Sequence, residues 1–297
     1  MRGVMVNKTV DPILEEFYCE EGSHDCKFLH ADVKATFYLR GSKTMLIQHG
    51  KIGGTSDGRN CKIGAAYRAP GAPATLECSD ITIEDVLFHD ITVSDPSQHN
   101  EAIAMTGVDK MSILGCRFER IWANTAHIFF AFEQNPTLCS NVRVLNSYFD
   151  KPLNGRGWAA MQWKDNNGGS GAGFKHFLIE GNLFDGSEMG FGTIGRPVED
   201  FVVGVNYGQL SKAAYDWAVG KGVVFKEYPF RPASEWPGNP PIVIPPIPPS
   251  DPCADVKAAL ATANTQIAAL TGTLEAEKAR SAALQTKIEQ AVIGLTA

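Results

Sequence analysis

Aromatic rings beside carboxylates are what a sugar-processing site needs, because apolar sugar faces stack on rings while acids handle the glycosidic oxygen. Such residues fall in three groups along the chain: His99, Asn100 and Glu101; His127 and Glu133; and Trp158, Gln162, Trp163, Lys164 and Asp165. Glu101 and Asp165 are the candidate catalytic acids, and the others are candidate binding residues. Plainer roles compete with these. The chain has 33 acidic residues, so some pair falls close by chance, and Glu101 and Asp165 also read as solvated corner residues. His127 opens the apolar run Ile128-Phe129-Phe130 and reads as a hydrogen-bonded packing histidine before it reads as a base. The interval from Trp158 to Trp163 reverses face along a strand, so the two rings do not share a side unless one lies in a turn.

Other chemistries have little support. There is no phosphate-binding loop with lysine, no nucleophile elbow and no His-Glu-x-x-His. The stretch from Asp165 to Gly173 has the look of a calcium loop but lacks its ligand spacing and terminal glutamate, and reads as a corner insertion. No metal and no cofactor is expected. The seven cysteines, Cys19, Cys26, Cys61, Cys78, Cys116, Cys139 and Cys253, include no pair with the two-residue gap of a zinc or redox motif. They read mostly as small buried hydrophobes.

The elements that must position these residues come from an internal repeat. Ile81, Ile83 and Phe88 set a spacing of apolar, polar, apolar, with a phenylalanine seven positions after the first. It recurs at Met111, Ile113 and Phe118, at Val142, Val144 and Phe149, and at Phe177, Ile179 and Phe184, with a weaker copy at Met45, Ile47 and Ile52. His49-Gly50, Asp85, Gly115, Asn146 and Gly181-Asn182 stand between the apolar clusters as turn-prone residues, where Gly or Asn supplies the φ > 0 corner that redirects the chain. A third strand is expected before each repeat: Thr36 to Arg40, Ala74 to Cys78, Glu101 to Met105, His127 to Phe132, Trp158 to Trp163 and Glu188 to Thr193. Three short strands per turn of roughly thirty residues describe an all-β solenoid. The gaps hold glycine, serine and asparagine, not the helical crossover of a doubly wound sheet.

In these segments the chain resembles right-handed, single-stranded parallel β-helix proteins of the pectate-lyase-like kind, over about residues 30 to 207. That group includes sugar lyases, sugar hydrolases and bacteriophage tail spikes. The polygalacturonase-like signatures are broken here: Asn124-Thr125-Ala126 lacks the needed aspartate, Gln48-His49-Gly50 lacks the first glycine, and there is no Asp-Asp pair. Arg117, Arg120 and Arg143 have no dense acidic cluster around them of the kind pectate lyase uses to hold calcium.

Four segments follow. Residues 1–29 form an N-terminal segment in which Asp11-Pro12, then Ile13, Leu14 and Phe17, predict a short capping helix. Residues 30–236 form the β-helix, with a second capping helix near 211–220, from Ser211 to Gly220. Residues 237–252 are a proline-rich linker expected to run as polyproline II. Residues 253–297 form a C-terminal α-helix whose heptad seam holds Val256, Leu260, Ile267, Leu270, Leu274, Leu284, Ile288 and Leu295. Gly272 sits inside that seam without breaking its register, which favours one helix of roughly 60 Å over a hairpin.

The net charge of −6 gives no field for gathering nucleic acid, and no apolar run approaches the ~20 residues of a membrane span. Met1 to Val10 has no apolar core of a secretory signal. β-Helix, stiff spacer and terminal coiled coil together resemble bacteriophage tail spikes and tail fibres, commonly trimers. The resemblance implies a virion protein made in the host cytoplasm, a homotrimer, that presents its β-helix to a host-surface polysaccharide or to other virion proteins. The alternatives are a polysaccharide hydrolase or lyase using Glu101 and Asp165, and a structural or decoration protein without glycan contact.

Overall fold

A computed structural model describes residues 2–3, 5–6, 8–10, 13–56, 61–64, 78–93, 101–123, 125–131, 139–153, 159–165 and 174–238. The proline-rich linker from residue 239 onward, the heptad residues and Cys253 lie outside the described residues.

The described strands pair in parallel, in two sheets of 14 and 9 strands, and the strands within each column pair with counterparts one repeat before and after. That order is consistent with a β-helix. The 9-stranded sheet is a first column that includes Lys43–Gln48, Cys78–Glu84, Val108–Leu114, Ser140–Leu145, Lys175–Glu180 and Glu199–Val203. The larger sheet holds a second column, Lys51–Ser56, Leu87–Val93, Arg117–Glu119, Tyr148–Phe149, Leu183–Phe184 and Tyr207–Gly208. It also holds a third, Cys61–Gly64, Ile103–Thr106, Ala126–Ala131, Ala159–Lys164 and Glu188–Thr193. Asp32–Arg40 joins the two columns, pairing with Lys51–Ser56 at its start and Cys61–Gly64 at its end.

The repeat works by stacking like on like. Ile81, Met111, Val142, Phe177 and Phe201 align in register, as do Ile83, Ile113, Val144, Ile179 and Val203. All are buried. Phe88, Phe118, Phe149 and Phe184 make a ladder of stacked rings with centroids 4.8, 4.6 and 5.5 Å apart, close to the strand spacing. Every ring thus loses its water on both faces, the strongest apolar contribution available to such small strands.

The corner before the second column needs a left-handed residue in each coil. His49 (φ 56°), Asp85 (50°), Gly115 (58°), Asn146 (52°) and Gly181 (74°) occupy it. The next residue inward builds a polar ladder. Asn182 Oδ1 accepts from Ser147 N (2.9 Å), and Asn182 Nδ2 donates to Val144 O (2.9 Å) and Asn206 Oδ1 (3.0 Å). Asn206 Nδ2 donates to Ile179 O (3.0 Å) and Gly204 O (3.1 Å). These amides satisfy backbone groups that the sharp bend takes out of the sheet.

Two sequence expectations are corrected. The segment expected to be an N-terminal capping helix is instead the strand Ile13–Cys19, paired with Asp32–Arg40. Phe17 and Cys19 are buried, and Phe17 stacks on Phe37 at 4.9 Å and meets Phe28 edge-on at 4.5 Å. Pairing and core burial outweigh a local N-cap signal, and coiling therefore begins well before residue 30. The third strand expected at Ala74 to Cys78 is also not found at Cys78, and residues 74–77 lie outside the described residues. Cys61–Gly64 holds that place between Phe37–Arg40 and Ile103–Thr106, and Cys78 opens a first-column strand. The helix Lys212–Gly220 follows Ser211, whose Oγ accepts from Ala214 N at 3.3 Å, and Ala218 is its buried residue. No helix among the described residues is long and apolar enough to cross a membrane.

Candidate functional site

The third column, where the candidate acids and rings were sought, is a packed layer and not an open groove. Every residue of Ala126–Ala131 is buried, on both faces of the strand. Glu101 is fully buried just before Ile103–Thr106, whereas Asp165 follows Lys164 at the far end of Ala159–Lys164, two strands away. A six-residue strand covers about 20 Å, so the two acids do not meet across the ~5–10 Å of a glycosidase pair. Asp165 acts structurally instead. Its Oδ1 accepts from Gly195 N (2.7 Å) and its Oδ2 from Arg196 N (3.0 Å), closing the turn after Glu188–Thr193.

His127 and Trp163 are not binding residues either, because both are wholly buried. Trp163 is stacked between Phe130 (5.1 Å) and Phe191 (5.0 Å). His127 lies parallel to Phe118 and Phe149, 6.2 Å from each. It is a packing histidine, but not a hydrogen-bonded one: among the described residues neither ring nitrogen has a hydrogen-bond partner, and Nε2 stands 3.7 Å from Asp150 Oδ1, which has none there either. Burial lowers the His127 pKa to about 3, so the ring is neutral at physiological pH. Gln162 and Lys164 are half-buried, with Lys164 Nζ 6.0 Å from the Phe129 ring centre. His99, Asn100, Glu133 and Trp158 lie outside the described residues.

The open polar surface is on the second column. Because Phe118 and Phe149 point inward, their neighbours point out, and parallel register sets Arg117 beside Tyr148. The Arg117 guanidinium lies 4.6 Å over the Tyr148 ring and bonds Glu119 Oε1 through Nε at 2.7 Å. Tyr148 OH donates to Asp185 Oδ2 at 3.0 Å. Trp236, well along the chain, returns to this face: its Nε1 donates to Gly181 O (2.9 Å), and its ring centre is 6.0 Å from that of Tyr148. Both rings are half-buried, with Arg117 43% exposed beside them.

A charged network continues one coil back. Arg120 holds Asp90 through Nε–Oδ1 (2.6 Å) and Nη2–Oδ2 (2.8 Å), and donates its backbone N–H to Asp150 Oδ2 (2.6 Å). His89 Nδ1 meets Asp90 Oδ2 at 2.8 Å. Arg120, then His89, hold the Asp90 carboxyl well below the usual carboxylate range. Burial, then the bond to Asp185, push the Tyr148 phenol up to about 12, so it stays a neutral donor. Burial raises Asp150. The strip thus offers two rings, Tyr148 capped on one face by Arg117, edged by two arginines and by the carboxylates of Glu119, Asp90, Asp150 and Asp185. It can grip a polyol, and Asp150, whose Oδ1 is buried toward His127, is raised further by the neighbouring carboxylates of Glu119 and Asp185. Tyr148, Asp185 and Trp236 carry no signal of their own in the sequence, and Arg117 stands out there only as an arginine without a dense acidic cluster. The repeat did place Tyr148 one position before an inward phenylalanine, but nothing local marks the return of Trp236.

No protein-family model and no curated protein matches the chain. Among solved structures it is similar to PfbA, a surface adhesin of Streptococcus pneumoniae, at 10% identity and a TM-score of 0.40, over 65% of this chain and 55% of that one. It is also similar to QnrB1, a plasmid-mediated fluoroquinolone resistance protein, at 12% identity and a TM-score of 0.18, over 76% of this chain and 92% of that one. The chain therefore spans little more than half of the adhesin's length. The fold described above rests on strand pairing and not on these likenesses.

Proposed function

We propose that this chain is a fibre or spike subunit of the bacteriophage virion kind, whose right-handed parallel β-helix presents its lateral strip to a host-surface glycan. The observation that carries the binding part is the half-buried ring pair Tyr148 and Trp236, edged by Arg117, Glu119 and Asp185 on stacked coils. Sugar C–H faces stack on the rings, and hydroxyls exchange hydrogen bonds with the flanking side chains. A core of stacked rings keeps this face rigid, so little ordering cost is added on binding. The heptad residues from Val256 to Leu295 supply a trimer and the proline-rich linker a stiff spacer, which multiplies a weak site by avidity. Other virion proteins hold the assembly. The chain is made in the host cytoplasm and acts outside it.

A hydrolase reading built on Glu101 and Asp165 loses its support with the separation of these two residues. The test is binding of the full-length protein to an array of bacterial surface polysaccharides. Tyr148→Ala and Trp236→Ala are each expected to weaken binding about tenfold, near 1.4 kcal/mol. Glu101→Gln and Asp165→Asn are expected to leave binding unchanged once folding is verified. Glycan binding indifferent to both ring substitutions, or release of new reducing ends by the wild type, would overturn the proposal.

A further inference from the structure

A cleft of about 430 Å³ opens beside the strip, where the turn at Gly186 and Ser187, the start of Glu188–Thr193, the loop Gly208 to Ser211 and Pro229-Phe230 converge. Its volume is in the range of small-molecule sites. Three features define what it would take. The apolar part is Leu210, Pro229 and Phe230; Phe230 is buried and extends the phenylalanine ladder, 5.8 Å from Phe184. The polar part is Glu188, Gln209 and Ser211. Glu188 Oε2 is anchored by Ser211 N at 2.8 Å, and Oε1 has no hydrogen bond among the described residues. The Ser211 hydroxyl accepts from Ala214 N and keeps its proton for a ligand. None of the lining residues is basic.

We infer that this cleft is a subsite for one neutral sugar residue, with its hydroxyls on Glu188, Gln209 and Ser211 and its apolar face toward Leu210 and Phe230. A carboxylate without a basic neighbour in the lining repels uronates, sialates and phosphates. A neutral polyol matches the mixture of acceptor, amide and hydroxyl beside an apolar wall. The cleft is continuous in sequence with the strip: Asp185, which holds Tyr148 OH, precedes Gly186 of the lining. The inference rests on the glycan-binding reading and adds a place for a terminal residue, separate from the ring pair.

The test titrates the full-length protein with free glucose, galactose, mannose, N-acetylglucosamine, glucuronate and tetramethylammonium, followed by saturation-transfer NMR and calorimetry. At least one neutral sugar is expected to bind in the millimolar range, glucuronate at least tenfold more weakly, and tetramethylammonium not to compete. Glu188→Gln and Gln209→Ala are each expected to weaken the sugar at least fivefold, while the exposed control Asp216→Ala leaves it unchanged. Gln209→Ala guards against loss of the Ser211 anchor, because Gln209 is exposed and the Glu188 bond stays in place. Free sugar lost in Tyr148→Ala but kept in both cleft variants overturns the subsite and leaves the ring-strip reading standing. So does polysaccharide binding that needs Tyr148 with no free sugar bound. Displacement by tetramethylammonium overturns it in favour of a cation site, and failure of every glycan sinks the underlying reading as well.

Discussion

His127 makes the acid limb of the stability curve predictable. The ring is wholly buried between Phe118 and Phe149, and its folded pKa of about 3 compares with about 6.5 when unfolded. Above pH 6.5 both states hold the neutral ring and nothing is gained or lost. Below it the unfolded chain takes up a proton that the folded chain refuses, so stability falls with pH until about pH 3. The slope approaches about 1.4 kcal/mol per pH unit, and a shift from pH 7 to pH 5 costs roughly 2 kcal/mol. Asp150 has the opposite sign: burial raises its carboxyl, so acidification relieves a cost there. The two are separated by His127→Phe, which keeps a flat ring in an aromatic stack and removes two unpaired nitrogens. Urea unfolding followed by circular dichroism at pH 7 and pH 5 is the assay. The wild type should lose about 2 kcal/mol more than the variant between these pH values, and the variant should be no less stable at pH 7. Matching pH dependences within about 0.5 kcal/mol would refute the reasoning, because the ring would then titrate equally in both states.

Other outcomes follow from the same structure. Asn182→Ala orphans the buried Ser147 N–H and Val144 C=O and should cost about 3 kcal/mol in denaturant unfolding, against about 1 kcal/mol or less for an exposed substitution such as Asp216→Ala. Cys19, Cys26, Cys61, Cys78, Cys116 and Cys139 are all buried, and burial pushes Cys19 and Cys116 up to about 12. A thiol reagent at pH 8 should therefore label none of these six before denaturant is added, as read by peptide mass spectrometry. Replacing Leu260 and Ile267 of the heptad seam by asparagine should lower the mass by light scattering from trimer to monomer; an unchanged mass would discard the self-assembling coiled coil.

What could be read in advance was whatever depends on local geometry. Met111, Ile113 and Phe118 are inward because a strand alternates its faces, and Asn146 turns the corner because its side chain tolerates φ > 0. The same spacing at Cys26, Phe28 and Val33 marks an earlier coil, yet the Asp11-Pro12 signal just before it points to a helix where the strand Ile13–Cys19 stands. Local propensity is weak against the burial of Phe17 on Phe28 and Phe37, partners that only coiling supplies.

The site shows the same division. Which residue types favour sugars was legible; which of them face water was not. His127, Trp163 and Glu101 sit in a layer buried from both sides, and a single strand's alternation cannot report a second covering. Arg117, Tyr148, Asp185 and Trp236 come from four different segments and meet only because parallel stacking aligns Arg117 with Tyr148, the next coil brings Asp185 to the phenol, and the chain then folds back to Gly181. Periodicity along the chain therefore determined the coils and their core. The pairing of distant segments, where burial is decided, determined which polar side chains were left in contact with solvent and so able to bind.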